Sequence, residues 1–182
     1  MIPASECPGF DLKAPPDLAE NQLPQRKHPR LRDYDYSQAG AYFITICTLH
    51  KAKILSRMIV GRDAHIPPSL ELSQVGRVAE HYIQRINQMY ENVWVDHYVI
   101  MPDHIHLLIC IDGDADNGGM WASRPTIQTI VRSLKTLVTK QIGRSIWQAS
   151  FYDHIIRSEK AYQEIWQYIE NNPAQWEEDH CS

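Results

Sequence analysis

His104 and His106 stand two residues apart in the run Met101-Pro102-Asp103-His104-Ile105-His106-Leu107-Leu108-Ile109-Cys110-Ile111. Side chains alternate along an extended segment, so both imidazoles point to one face of a sheet. Neutral imidazole is the commonest metal ligand in proteins, and two of them held this way can share one divalent cation. The other face of the segment reads Ile105, Leu107, Ile109 and Ile111, a continuous apolar row fit to lie on a core. One side is expected to build the fold and the other to be free for chemistry. Two strand histidines are also ordinary as polar surface residues, so the pair alone leaves both a metal site and a solvated face open.

A second chemical signal is Tyr168-Ile169-Glu170-Asn171-Asn172-Pro173. Tyr168 and Asn172 are four positions apart and project from one helix face as neighbours. If Asn172 offers its amide oxygen to the cation of His104 and His106, Tyr168 lies beside the metal. A phenol with a pKa of about 10 is a poor nucleophile at neutral pH, and a nearby cation stabilises its phenolate. The competing assignment is packing, because Ala161, Ile165, Tyr168 and Ile169 also make an apolar helix face. Tyr152, Tyr162 and Trp166 are rival aromatic candidates; Tyr162 lies well around the helix from Tyr168 and cannot share its role.

The elements that must position these groups follow from periodicity and punctuation. Residues 1–25 contain five prolines and read as a mobile leader, with a single domain over 26–182. Tyr42 to Thr48 is a first strand. Ala64 to Pro68 is expected to be a loop. Ser73 to Tyr90 carries apolar residues at helical spacing, with Ser73 placed to cap it. Trp94 to Ile100, the short Met101-Pro102-Asp103 connection and the histidine segment predict an antiparallel hairpin over 93–111. Asp112 to Ser123 is rich in Gly, Asp and Asn and predicts a long loop. Pro125 suits the first turn of a helix whose stripe is Ile127, Ile130, Val131, Leu134, Leu137, Val138 and Ile142, with Gly143 as its terminator. A strand is expected near Asp153 to Arg157. The last helix is expected over Glu159 to Asn171, ending before Pro173. The order strand, helix, strand, strand, helix, strand, helix is an α+β, ferredoxin-like split βαβ layout with an antiparallel sheet and one extra C-terminal helix.

Composition narrows the classes. Of the 182 residues 43% are hydrophobic and 22% charged, ordinary values for a soluble globular protein. No apolar run approaches the roughly 20 residues of a membrane helix, and the N-terminus lacks the pattern of a secretory signal, so a cytoplasmic location without membrane association is expected. Cys7, Cys47, Cys110 and Cys181 show no CxxC pairing, which argues against a disulfide framework and a thiolate zinc site; Cys47 and Cys110 read as core residues. The net charge of -4 does not itself indicate nucleic acid. Its distribution does lean that way. From Asn117 to Tyr152 there is no carboxylate, while Arg124, Arg132, Lys135, Lys140 and Arg144 fall inside, and Arg26, Lys27, Arg30 and Arg32 precede the first strand. A solvated helix face and a polyanion contact are both compatible with that pattern.

Three separated segments carry a family resemblance. Tyr98 to Leu108, Trp147-Gln148 with Phe151-Tyr152-Asp153-His154-Ile155-Ile156-Arg157, and Tyr168 to Pro173 resemble the single-tyrosine, insertion-sequence-200-like transposases of the HUH nuclease superfamily, in which U is a hydrophobic residue. The nearest branch is that of the REP-associated tyrosine transposases, whose start Arg30-Leu31-Arg32-Asp33-Tyr34-Asp35-Tyr36 also resembles; the likeness spans about residues 28 to 176. It implies an HUH nuclease fold, His104 and His106 as metal ligands, Tyr168 as nucleophile and Asn172 at the position of a polar third ligand that is often Gln. It implies Mg²⁺ as the usual ion, and imidazole with oxygen donors also suits Mn²⁺. The implied activity is cleavage and strand transfer of single-stranded or hairpin DNA through a 5′-phosphotyrosine link. Arg124, Arg132, Lys135, Lys140, Arg144, Arg30 and Arg32 are then candidate phosphate contacts, and Trp121 or Trp147 candidate base-stacking residues. Asp103, His154 and Arg157 match family positions without an assigned role. Two rivals stay open: a transposase-derived DNA-hairpin binder that does not cleave, and a phosphodiesterase in which metal-activated water attacks and Tyr168 merely packs. Monomer and homodimer are equally compatible with the chain.

Overall fold

β-branched and aromatic residues concentrate in the segments that become the sheet, and helical spacing in those that cover it. The computed structural model describes residues 34–59, 68–113 and 125–180. In chain order these form β1 (Gly40–Cys47), a 3₁₀ turn (Leu49–Lys51), β2 (Ser56–Ile59), β3 (Ser69–Leu72), α1 (Gln74–Met89), β4 (Val93–Ile100), β5 (His104–Ile111), α2 (Ile127–Ile142), β6 (Tyr152–Ile156) and α3 (Glu159–His180). The leader expected over 1–25 lies outside the described residues, as do almost all of the loop expected at 64–68 and residues 114–123 of the loop expected at 112–123.

The main sheet has the order β4-β5-β1-β6, every neighbouring pair antiparallel. α1 crosses between β1 and β4, α2 between β5 and β6, and each of these strand pairs has another strand between its members. The result is an α+β fold with an antiparallel sheet and three helices. The sequence pattern did not foretell the small β2-β3 hairpin, whose half-exposed strands are too short for a clear alternation.

The two faces of the sheet carry separate cores. Tyr42, Ile44, Ile46, Ile105, Leu107, Ile109 and Ile111 pack with Ala79, Ile83 and Ile86 of α1 and Ile127, Ile130, Leu134 and Val138 of α2. On the other face Phe43, Leu108 and Ile156 pack with Ile165 and Ile169 of α3. Full burial of two isoleucines holds α3 down by about 1.5–3 kcal/mol each. A bulge at Asp96 interrupts the pairing of β4 with β5, where Val95 faces Ile109 but His97 faces Leu108. It turns two successive side chains onto the α3 face, Asp96 to Tyr162 and His97 to Trp166.

Helix ends follow local chemistry with two departures. Ser73 caps α1 as expected, its Oγ accepting from Gly76 N at 3.0 Å, and Gly143 ends α2 in the left-handed region at φ 78°. Pro125 does not enter the first turn of α2: Thr126 is the N-cap, with extended backbone and its side chain accepting from Thr129 N, which leaves Pro125 one residue outside. α3 does not stop before Pro173 but runs through it to His180. A proline removes one main-chain hydrogen bond, and here the following turn has tertiary partners, Trp176 lying against His104 and under Lys53. Among the described residues no helix is long and apolar enough to cross a membrane.

Candidate active site

β5 pairs His104 with Cys47 and His106 with Thr45 of β1. The apolar row Ile105, Leu107, Ile109 and Ile111 lies on the helix-layer core as expected. The histidine row is not free. All eight residues of β5 are buried, because α3 roofs the face that His104 and His106 share with Leu108. The site is therefore a covered cleft between β5 and α3.

Within it the imidazoles are oriented from both ends. His104 Nδ1 lies 2.6 Å from Asp103 Oδ1, and His106 Nδ1 lies 2.9 Å from Thr45 Oγ1. Asp103 is itself buried, 5% exposed, and its carbonyl accepts from both the backbone N and Oγ1 of Thr48 at 2.9 Å. A carboxylate on Nδ1 keeps the proton there and leaves Nε2 with its lone pair outward, the second contact that metal-binding histidines normally possess. Phe43 stacks on His106 with ring centroids 5.0 Å apart. Burial pushes the His106 pKa well below the usual histidine range, and His104 and Lys51 act in the same direction. This imidazole is accordingly neutral at pH 7, as a ligand must be.

The two Nε2 atoms are 3.0 Å apart. Two donors each about 2.1 Å from one ion, at right angles to one another, are separated by about 3.0 Å. The pair thus fits neighbouring positions around an octahedral cation. Among the described residues no group of three or more His, Cys, Asp or Glu could hold a metal, so further donors have to come from amide, substrate or water oxygens.

α3 brings one stripe to this pair. The Tyr168 ring meets His106 edge-on at 5.4 Å and Phe43 at 6.0 Å, while Trp176 lies 5.5 Å from His104. Asn172 is four residues from each on the same stripe and is 6% exposed. Tyr168 is half-buried, so its ring belongs to the wall of the cleft rather than to the deep core. Two of the rival aromatics are engaged elsewhere. Tyr162 donates its hydroxyl to Asp96 Oδ2 at 2.6 Å, and Trp166 stacks on His97 at 4.3 Å. Tyr152 stands across Thr45 on the edge strand β6.

The candidate phosphate contacts separate into groups. Arg132, Lys140 and Arg144 are exposed, but α2 packs on the sheet face opposite the histidines. Lys135 is occupied structurally: its Nζ donates to the carbonyls of Gln148 and Ser150, both at 2.9 Å, and lies over Phe151. Trp147 is buried and its segment bridges to Thr48, so it packs and does not offer a free stacking face. Arg30, Arg32, Arg124 and Trp121 lie outside the described residues. Sequence reasoning gave no role to Asp103 or Thr45 and passed over Trp176. An acid directly before a histidine pair was the available signal for Asp103; Trp176 was hidden behind the assumption that Pro173 ends the helix.

No family model matches the chain. It is 32% identical over 171 residues to an uncharacterised protein of Haemophilus influenzae, covering 85% of this chain and 91% of that one. A second Haemophilus influenzae protein, whose name assigns it provisionally to the REP-associated tyrosine transposases, is 27% identical over 155 residues, 77% of this chain and 73% of that protein. The REP-associated tyrosine transposase of Escherichia coli K12 is 30% identical over 82 residues, 44% of each chain. Among solved structures, that of a REP-associated tyrosine transposase bound to a REP hairpin has a TM-score of 0.55 at 22% identity, over 80% of this chain and 73% of that one, which shows a common fold.

Proposed function

The chain is a homologue of the REP-associated tyrosine transposases, and on that premise we propose that it is an HUH-type, ferredoxin-like nuclease that cleaves and rejoins single-stranded DNA at a folded hairpin. The observation that carries this reading is the convergence of Tyr168 and Trp176 on an imidazole pair whose Nε2 atoms are 3.0 Å apart, with Asn172 buried between them on the same helix stripe. A packed surface tyrosine has no need of such neighbours.

In the proposed reaction the Tyr168 hydroxyl attacks the phosphorus of a phosphodiester. A bond forms between the phenolic oxygen and phosphorus, the bond to the 3′ oxygen breaks, and the departing 3′ oxygen gains the proton that the phenol loses. The 5′-phosphotyrosine link conserves the energy of the broken bond, so a 3′-hydroxyl can reverse the step without ATP. Held by His104 and His106, with Asn172 as third protein donor, Mg²⁺ or Mn²⁺ would polarise the phosphate and offset charge on its oxygens. Asp103 holds the proton of His104 on Nδ1, and Thr45 orients the ring of His106. Ile165 and Ile169 seat the helix that aims Tyr168. The hairpin substrate is proposed because a structural relative has been solved with a REP hairpin; exposed Arg132, Lys140 and Arg144 are assigned to its more distant phosphates.

The test is incubation of the protein with a single-stranded hairpin oligonucleotide and Mg²⁺ or Mn²⁺, followed by denaturing electrophoresis. A covalent protein–DNA adduct is expected, absent in Tyr168→Phe and in His106→Ala. Cleavage that persists in Tyr168→Phe would replace this mechanism with attack by water, and binding without cleavage in either metal would leave a hairpin-binding protein.

A further inference from the structure

Residues 49–53, the turn that leaves β1 beside the histidine pair, are held in an unusual conformation. His50 and Lys51 both have positive φ, 55° and 53°, a region that residues with a side chain rarely enter and hardly ever in succession. The turn is nonetheless firmly anchored. Leu49 N donates to Ile146 O at 2.8 Å, Lys51 N to Thr48 O and Ala52 N to Leu49 O. Thr48 Oγ1 lies within 2.9 Å of the carbonyls of both Ala52 and Asp103, which ties the turn to the residue that orients His104.

The conformation presents cations at the cleft. Lys51 and Lys53 are exposed, and among the described residues neither has a carboxylate partner. Lys53 Nζ lies 5.7 Å from the centre of the Trp176 ring, the same ring that leans on His104. Lys51 shares this turn, two residues before Lys53. The basic residues of α2, by contrast, stand behind the sheet. The ammonium group of Lys53 is thus set against the ring that borders the histidine pair.

We propose that the Leu49–Lys53 turn is a phosphate-binding arm of the site, in which Lys51 and Lys53 grip the backbone phosphates flanking the phosphodiester presented to Tyr168. The inference rests on the nuclease reading above and adds the residues that seat the strand. Backbone strain retained at Lys51 is accounted for by this duty: glycine would relax the turn there but remove the charge.

The experiment uses the full chain in a Tyr168→Phe background, so that nothing is cut, with a fluorescent hairpin oligonucleotide carrying a single-stranded flank, in EDTA. Anisotropy titrations across a salt series give affinity and its salt slope. Lys51→Gln with Lys53→Gln is expected to weaken binding about tenfold and to flatten the slope by about 1.4, or about 0.7 per single-strand phosphate contact. Arginine at both positions restores both values, and Lys51→Gly binds as poorly as Lys51→Gln while melting at a higher temperature. Unchanged affinity and slope in the double glutamine variant, with native protein still forming its adduct in metal, overturn the arm and leave the nuclease standing. Absence of adduct and of binding in the native protein removes both.

Discussion

Replacing Asp103 by asparagine separates the orientation of His104 from the packing around it. The native contact is 2.6 Å long and its carboxylate is 5% exposed, so it is a charge-assisted bond in a region of weak screening. Asparagine keeps an oxygen to accept from Nδ1 but loses the negative charge that makes Nε2 a better donor. Second contacts of this kind change metal affinity by about 10–100-fold, equivalent to about 1.4–2.7 kcal/mol. Alanine would be less informative, because an unsatisfied buried Nδ1–H adds about 1–3 kcal/mol of destabilisation. Calorimetric titration with Mn²⁺ in the absence of DNA should show the loss directly. Adduct formation against Mn²⁺ concentration should shift its midpoint by the same factor and recover its plateau at saturation. An unshifted midpoint in both measurements would refute the argument that Asp103 tunes His104 as a ligand.

Lys135→Ala should cost about 1–2 kcal/mol, since two carbonyls lose an ammonium donor, while hairpin affinity per folded molecule stays constant; weakened binding at unchanged thermal stability would restore Lys135 to the phosphate contacts. Gly76→Ala should destabilise by about 2–3 kcal/mol in thermal denaturation, because a Cβ there would collide with the carbonyl oxygen of Leu55; an unaltered melting temperature would contradict that close approach. His154 has its pKa lowered from the ordinary 6.5 by burial, with Arg157 acting alike and Asp153 against. Its neutral form is favoured in the fold, so the associated stability is complete above pH about 6.5 and is lost as pH falls toward the folded value. His154→Gln should consequently flatten the decline in melting temperature between pH 7 and 5, and an identical slope in the variant would exclude His154 as its source.

The main sheet was legible because its signals are local. Alternation over residues 104–111 and helical spacing over 73–90 and 127–142 named the strands and helices and one of the two apolar faces. The other face was misjudged as open. Covering it depends on how α3 returns across the sheet, which no strand pattern encodes. The extension of α3 beyond Pro173 was unreadable for a related reason: local propensity opposes it, and the contacts of Trp176 with His104 and Lys53 offset that preference. Tyr168 and the histidines came from motif and spacing, and Asp103 was readable from its place directly before His104, whereas Thr45 required knowledge of which strand lies beside which. Lys135 shows the reverse failure, a charge that composition assigned to solvent or a polyanion and the fold spends on two carbonyls.

The irregularity at Asp96 reaches further than its single extra residue. By directing two consecutive side chains at Tyr162 and Trp166, it grips α3 at adjoining turns and sets how far that cylinder is rolled about its own axis. The bearing of the phenol two residues past Trp166 is thus inscribed in a strand some seventy positions earlier in the chain. Grafting α3 from a relative would transplant the tyrosine but not its compass heading unless β4 travelled with it.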